Sequence, residues 1–176
     1  YKPADWKAGD KRPAIVFFFG GGWTNGSPKQ FYDHCQHFSK LGFVTFSAEY
    51  RIKSIHQTTP FESVKDGKSA VRWVRQHAQN LGVDPEMIIA SGGSAGGHVA
   101  CTTALIPGYD ETGEDITISS SPNAMLLFNP AVNLTYKADE TNRFSGKAEQ
   151  ISPASYIRKG LPPTLIMVGS EDTATP

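Results

Sequence analysis

The chain has 176 residues, with 17 basic and 17 acidic side chains interspersed along it, a balance that argues against nucleic acid or an anionic membrane as the main partner, since both call for a basic patch. Its length suits one well-buried domain, and no apolar run approaches the roughly 20 residues that span a bilayer. Cys35 and Cys101 each sit in a helix-like segment with no second Cys or His at metal-ligand spacing, so buried free thiols are expected and no metal site. The first residues, Tyr1-Lys2-Pro3-Ala4, include no initiator methionine, and the chain is therefore expected to begin inside a longer protein.

Two periodicities alternate from there. Residues 14–19 (AIVFFF) form a continuous apolar and aromatic run closed by glycines, the pattern of a strand buried on both faces. Lys29 to Leu41 carries Phe31, Cys35, Phe38 and Leu41 at helical spacing and ends at Gly42, placed to terminate a helix. Residues 43–48 read as a second strand. Thr59-Pro60-Phe61-Glu62 is a capping box with proline at the first helical position, and the apolar face that follows extends to Leu81 and Gly82. Residues 87–90, 124–128 and 164–168 supply three more strands, and Ala95 to Leu105 a helix. Residues 107–122 and 129–163 are polar, turn-rich excursions, too short for a separate lid domain.

Strands separated by helix-length segments predict βαβ units, a mostly parallel doubly wound sheet and helices on both faces. Sites in such sheets lie beyond the carboxyl ends of the strands. Here those ends fall after residues 19, 90 and 168, and the unusual residues stand there.

Gly92-Gly93-Ser94-Ala95-Gly96 fits G-x-S-x-G between a predicted strand and a predicted helix. An attacking serine must project from a tight turn, and glycines two residues to either side relieve the crowding. A phosphate-binding reading fails at the Walker lysine position, which is His98. Gly20-Gly21-Gly22-Trp23 follows the first strand, and backbone amides freed there can converge on one oxygen, as an oxyanion hole requires. The dinucleotide pattern G-x-G-x-x-G is not met, because its last position is Asn25.

Asp172, with Glu171 as the alternate, follows the last strand, where the acid of a Ser-acid-His order belongs. All five histidines, His34, His37, His56, His77 and His98, precede it. Three lie on predicted helices that cross the sheet. His98 is one turn beyond Ser94 and is expected to point into the fold. His56, in a loop after the second strand, is the remaining candidate base.

With these residues in hand, the chain resembles the α/β-hydrolase superfamily, and within it the esterase/lipase group near the hormone-sensitive-lipase type and the bacterial acetyl and feruloyl esterases. The resemblance is carried by Phe17-Phe-Phe-Gly-Gly-Gly-Trp23, Ala48-Glu-Tyr-Arg51, Asp66 through Trp73-Val-Arg75, Gly92-Gly-Ser-Ala-Gly-Gly-His98, and Pro162-Pro-Thr-Leu through Asp172. It implies that the five strands are the third to seventh of eight. It also implies that strands preceding Tyr1, and a final strand and histidine loop following Pro176, lie outside the chain. Ser94 is then the nucleophile, with Gly21, Gly22 and Ala95 giving the oxyanion amides and Asp172 orienting the histidine. Trp23 is the candidate substrate-binding residue, with plain packing as its other reading. No cofactor is implied.

The expected activity is hydrolysis of short-chain acyl esters, with acetyl or feruloyl esters of carbohydrate as candidate substrates. A serine peptidase of the same superfamily and a non-catalytic binding protein on this fold are the alternatives. One departure stands out. The family carries histidine before the three glycines, and this chain has Phe19, which leaves open how the glycine loop is braced.

Overall fold

In the computed structural model, which describes residues 1–136 and 142–172, the first apolar run forms β1 (Arg12–Phe18), with every residue from Ala14 to Phe18 at most 1% exposed. Such burial on both faces requires neighbours on both edges and layers above and below. β1 pairs in parallel with β2 (Val44–Ala48) on one side and β3 (Val83–Gly93) on the other. β4 (Ala124–Phe128) and β5 (Thr164–Met167) extend the sheet to the order β2-β1-β3-β4-β5, parallel throughout. The predicted fold class is the observed one.

Side chains alternate across a strand, so Phe17 and Phe18 face opposite layers. Phe17 stacks on Phe31 at 5.1 Å between ring centroids and lies 6.0 Å from Phe38 of α1 (Tyr32–Lys40). On the other layer α3 (Pro60–Gln76) packs against α5 (Ala95–Leu105), and both lie on β3. A one-turn helix, α2 (Lys53–His56), leads into α3 and was not apparent from sequence.

The capping box forms: the Glu62 carboxylate accepts from the Thr59 N–H (2.9 Å) and hydroxyl (2.6 Å). Cys35 and Cys101 are buried free thiols, and burial pushes the Cys101 thiol up to about 12.

Two predicted helices are each divided. Residues 29–41 begin as a 3-10 turn, Pro28–Phe31, and become α-helical only from Tyr32, and Leu41 ends 61% exposed. The helix expected to run to Leu81 stops at Gln76. His77, with φ −100° and ψ 12°, separates α3 from the short α4 (Ala78–Leu81), which Gly82 ends at φ +68°. β3 also begins four residues earlier than its apolar core, because a register shift opposite Arg12 and Ala14 lets Val83 pair with Arg12.

Residues 107–122 are tied to α3 by charge. The nearly buried Lys68 and Arg72 both reach Asp110, Arg72 also pairs with Glu114, and Arg51 joins Asp66 to Glu111. Burial alone would raise the Asp110 carboxyl, but the Arg72 hydrogen bond and the Lys68 charge together hold it below the ordinary carboxylate range. β5 contrasts with this enclosed half of the sheet. Leu165, Ile166, Met167 and Val168 are 58%, 49%, 41% and 44% exposed, so neither face of β5 is covered by the described residues. No helix among the described residues is long and apolar enough to cross a membrane.

Candidate active site

Ser94 is the one exposed residue in a run that is otherwise buried from Ala90 to Thr103, apart from itself. It stands between the last residue of β3 and the first of α5 with φ +54° and ψ −119°, a left-handed conformation that L side chains rarely adopt. Backbone strain of this kind costs on the order of 1–3 kcal/mol and persists where the surroundings enforce it. The enforcement is visible. A Cβ at Gly96 would stand 2.0 Å from the Phe18 carbonyl oxygen, and one at Gly92 would stand 2.5 Å from the Gly96 backbone. Only glycine at those two positions lets α5 start this close to β1 and β3. The Ser94 N–H donates to Phe128 O (3.0 Å), and Ser94 O accepts from Ala131 N–H (3.2 Å), so the turn is clamped to the end of β4.

The glycine loop after β1 is the other wall. A Cβ at Gly20 would lie 3.4 Å from the Ser94 Cβ, so the loop and the elbow are in contact. Gly21 (φ +129°), Gly22 (φ +62°) and Trp23 (φ +57°) are all left-handed or beyond, and the Gly21 carbonyl is turned into the loop, accepting from Thr24 N–H (3.1 Å) and Asn25 N–H (3.0 Å). The N–H groups of Gly21, Gly22 and Ala95 donate no hydrogen bond to another described residue. Three unpaired amides on two touching loops, one of them at a helix N-terminus, form a site suited to a developing negative charge.

The brace that Phe19 leaves in question is supplied by two residues that sequence reasoning missed. The Gly20 N–H donates to Gln30 Oε1 (2.5 Å), fixing the loop where it leaves β1. Phe19 stacks on Tyr50 at 4.2 Å, and the Tyr50 hydroxyl donates to Phe19 O (2.5 Å). Gln30 lies in a polar stretch ten residues away, and nothing in its local pattern signals the contact; only the path of the loop brings them together. Replacing Gln30 with alanine is expected to lower kcat about tenfold with little change in KM, since the brace acts on geometry near the amides and contributes roughly one hydrogen bond. Steady-state kinetics of the full-length protein check this, and an unchanged kcat would assign Gln30 to the surface.

Trp23 is only 6% exposed. Its indole N–H donates to His98 Nδ1 (3.2 Å), and its ring meets Phe144 edge-on at 5.3 Å, so most of the side chain serves packing. His98 is fully enclosed. Its Nδ1 accepts from Trp23, so its Nε2 carries the proton and donates to Ile151 O (2.7 Å). Burial drives its pKa down to about 4, partly opposed by the Ile151 hydrogen bond. The ring is thus a neutral crosslink between the glycine loop and residues 144–152.

Among the described residues no histidine ring hydrogen-bonds the Ser94 hydroxyl, although the His98 backbone N–H donates to Ser94 O (3.0 Å). His34 packs among Phe17, Phe31 and Phe128, His37 meets Phe38, His77 stacks on Trp73, and His56 Nδ1 accepts from Ile52 N–H within its own turn. Asp172 follows β5 on the same carboxyl edge as Ser94 and is half-buried where Glu171 is exposed; its N–H donates to Gly169 O (3.0 Å). No group of three or more potential metal ligands occurs among the described residues.

Comparison with known proteins bears on this arrangement. The BD-FAE family model matches residues 1–142. Esterase LipQ of Mycobacterium tuberculosis is 28% identical over all of this chain, which corresponds to 46% of LipQ. Among solved structures, Thermogutta terrifontis esterase 2 phosphoramylated by tabun superposes with a TM-score of 0.95 at 50% identity, covering the whole of this chain and 67% of its own. The propionate-bound form of an esterase from the same species, Est2, matches with a TM-score of 0.88 at 50% identity over 94% of this chain and 64% of its own. The chain therefore spans about half the length of LipQ and about two thirds of the solved esterases.

Proposed function

Since the chain belongs to the BD-FAE family of the α/β-hydrolase esterase/lipase group, we propose that it forms the greater part of the catalytic domain of a serine carboxylesterase acting on short-chain acyl esters. The observation that carries this reading is Ser94, exposed and left-handed on a turn in contact with the glycine loop, where the N–H groups of Gly21, Gly22 and Ala95 donate to no other described residue. In the proposed reaction Ser94 Oγ attacks the ester carbonyl while its proton passes to a histidine. The carbonyl oxygen becomes an oxyanion under the N–H groups of Gly21, Gly22 and Ala95. Collapse releases the alcohol and leaves an acyl-serine, which water then hydrolyses. Asp172 holds the histidine ring in the productive tautomer.

The base belongs, on this proposal, to sequence following Pro176, in a loop after one further strand, and two strands precede Tyr1. The uncovered faces of β5 and the share of the relatives' length that the chain spans support this. A short acyl group is favoured by the propionate held by the Thermogutta relative, and acetyl or feruloyl esters of carbohydrate are the substrates to try first. The test is a panel of p-nitrophenyl acetate, feruloyl and acetylated-sugar esters offered to the full-length protein and to the 176-residue chain alone. The full-length protein is expected to hydrolyse at least the short aliphatic ester and the isolated chain none. Triad-type turnover by the isolated chain would place the base among the five histidines already described.

A further inference from the structure

In the sheet, β4 lies between β3, which leads into Ser94, and β5, whose following turn carries Asp172. The residue just past the end of β4 is Asn129, and the proposed reaction leaves it unused. We infer that Asn129 is a positioning residue for the base: its side-chain amide borders the imidazole ring and sets its carbonyl oxygen against the charge that the ring acquires. This role rests on the esterase reading and extends it to the surroundings of the base.

Topology is the first reason. Neighbouring strands stand about 4.8 Å apart, so Ser94 and Asp172 leave the sheet from strands roughly 10 Å apart. An imidazole that makes a hydrogen bond at each nitrogen spans about 8 Å from one oxygen to the other. A ring joining the two side chains must therefore cross the end of β4. Asn129 is fixed at that end from both sides. Its N–H donates to Met167 O of β5 (2.7 Å), and the residues flanking it are tied to the elbow: Phe128 O accepts from Ser94 N–H (3.0 Å), and Ala131 N–H donates to Ser94 O (3.2 Å).

The side chain itself is the second, independent reason. Phe128 is half-buried and Pro130 buried, yet Asn129 between them is exposed. Its amide makes no hydrogen bond to another described residue. The backbone is left-handed at φ +37°, a conformation in which asparagine is enriched but which glycine meets at no steric cost. What asparagine adds at this position is the amide. Being uncharged, it can border the ring before and after proton transfer. A carboxylate there would instead favour the protonated ring, which cannot act as base.

That contrast supplies the test. The acid limb of kcat/KM for p-nitrophenyl acetate, which reports the base of the free enzyme, is compared in full-length wild-type, Asn129→Asp and Asn129→Gly proteins. Both substitutions suit a left-handed backbone, so both variants are expected to fold. The aspartate is expected to move the limb up by about one pH unit, because an opposite charge within a few ångströms stabilises the protonated ring. The glycine variant keeps the backbone and loses the amide, and is expected to lose about fivefold in kcat with KM changed less than about twofold. His34, whose ring lies 5.7 Å from that of Phe128, and Glu171 and Asp172 after β5 are common to all three proteins, so differences between the profiles come from position 129. A limb that moves by less than about 0.5 unit, which puts the charge beyond roughly 6 Å of the ring in water, overturns the inference, as does wild-type kcat in the glycine variant. Turnover that survives Ser94→Ala would instead overturn the esterase reading, so the two failures are distinct.

Discussion

Ser94→Ala in the full-length protein is expected to lower ester hydrolysis by about 10⁴-fold or more while leaving the fold intact. Both halves of this expectation come from the turn. The hydroxyl makes no hydrogen bond to a described residue and is the exposed group of an otherwise buried run, so its removal deletes no structural contact. Alanine has the same Cβ as serine, and at φ +54° it meets the same strain. The oxyanion amides also remain, which leaves residual binding without covalent catalysis. The informative comparison is therefore kcat/KM alongside the unfolding midpoint. A large loss of activity at unchanged stability is the expected pair. A variant that retains more than about a tenth of the activity would remove Ser94 from the chemistry.

The next largest effect is a pH-dependent stability set by His98. Its folded pKa is about 4 against an ordinary 6.5, chiefly because the ring is buried. Below pH 6.5 the unfolded chain takes up a proton that the folded protein refuses until about pH 4. A group with a depressed folded pKa contributes its stability above the unfolded value and loses it as pH falls. Between those limits the loss is about 1.4 kcal/mol per pH unit, or about 3 kcal/mol in all. Urea unfolding of the full-length protein at pH 7, 6, 5 and 4.5 is the measurement, with His98→Gln as the comparison. The wild-type slope should exceed that of the variant across this window. Parallel curves would mean that His98 exchanges protons freely in the folded state.

The consequence would reach the active site, because His98 holds Trp23, and Trp23 adjoins Gly22. Protonation places a donor at Nδ1, opposite the indole N–H that now donates to it. The glycine loop should then loosen at acid pH before the sheet does.

The strands were legible in the sequence because each is a short apolar run bounded by glycine or proline, and their parallel order follows from the helices between them. The elbow was legible for a related reason: Gly92, Ser94 and Gly96 state a steric requirement directly, and the structure shows it in the approach of Phe18 O to Gly96. Helix limits were less so. The break at His77 and the 3-10 start at Pro28 depend on local hydrogen bonding that apolar spacing does not encode.

The bracing of the glycine loop was not legible at all. Gln30 and Tyr50 meet it through contacts 10 and 31 residues apart in sequence; Gln30 stands in no motif, and the stretch Ala48 to Arg51 that contains Tyr50 does not state this contact. Trp23 shows the converse limit. Its place after the glycines suggests substrate, yet its indole is satisfied by His98 and largely enclosed.

The central claim is that Ser94 is a nucleophile once a histidine reaches it. Exposure of the full-length protein to paraoxon, followed by peptide mass spectrometry, tests this most directly, because an activated serine takes the phosphoryl group far faster than an ordinary hydroxyl. The account predicts a diethylphosphoryl adduct on the peptide containing Ser94, formed in parallel with loss of esterase activity and absent from the Ser94→Ala protein. Complete inactivation with the adduct on any other residue, or esterase activity that persists with Ser94 fully phosphorylated, would contradict it.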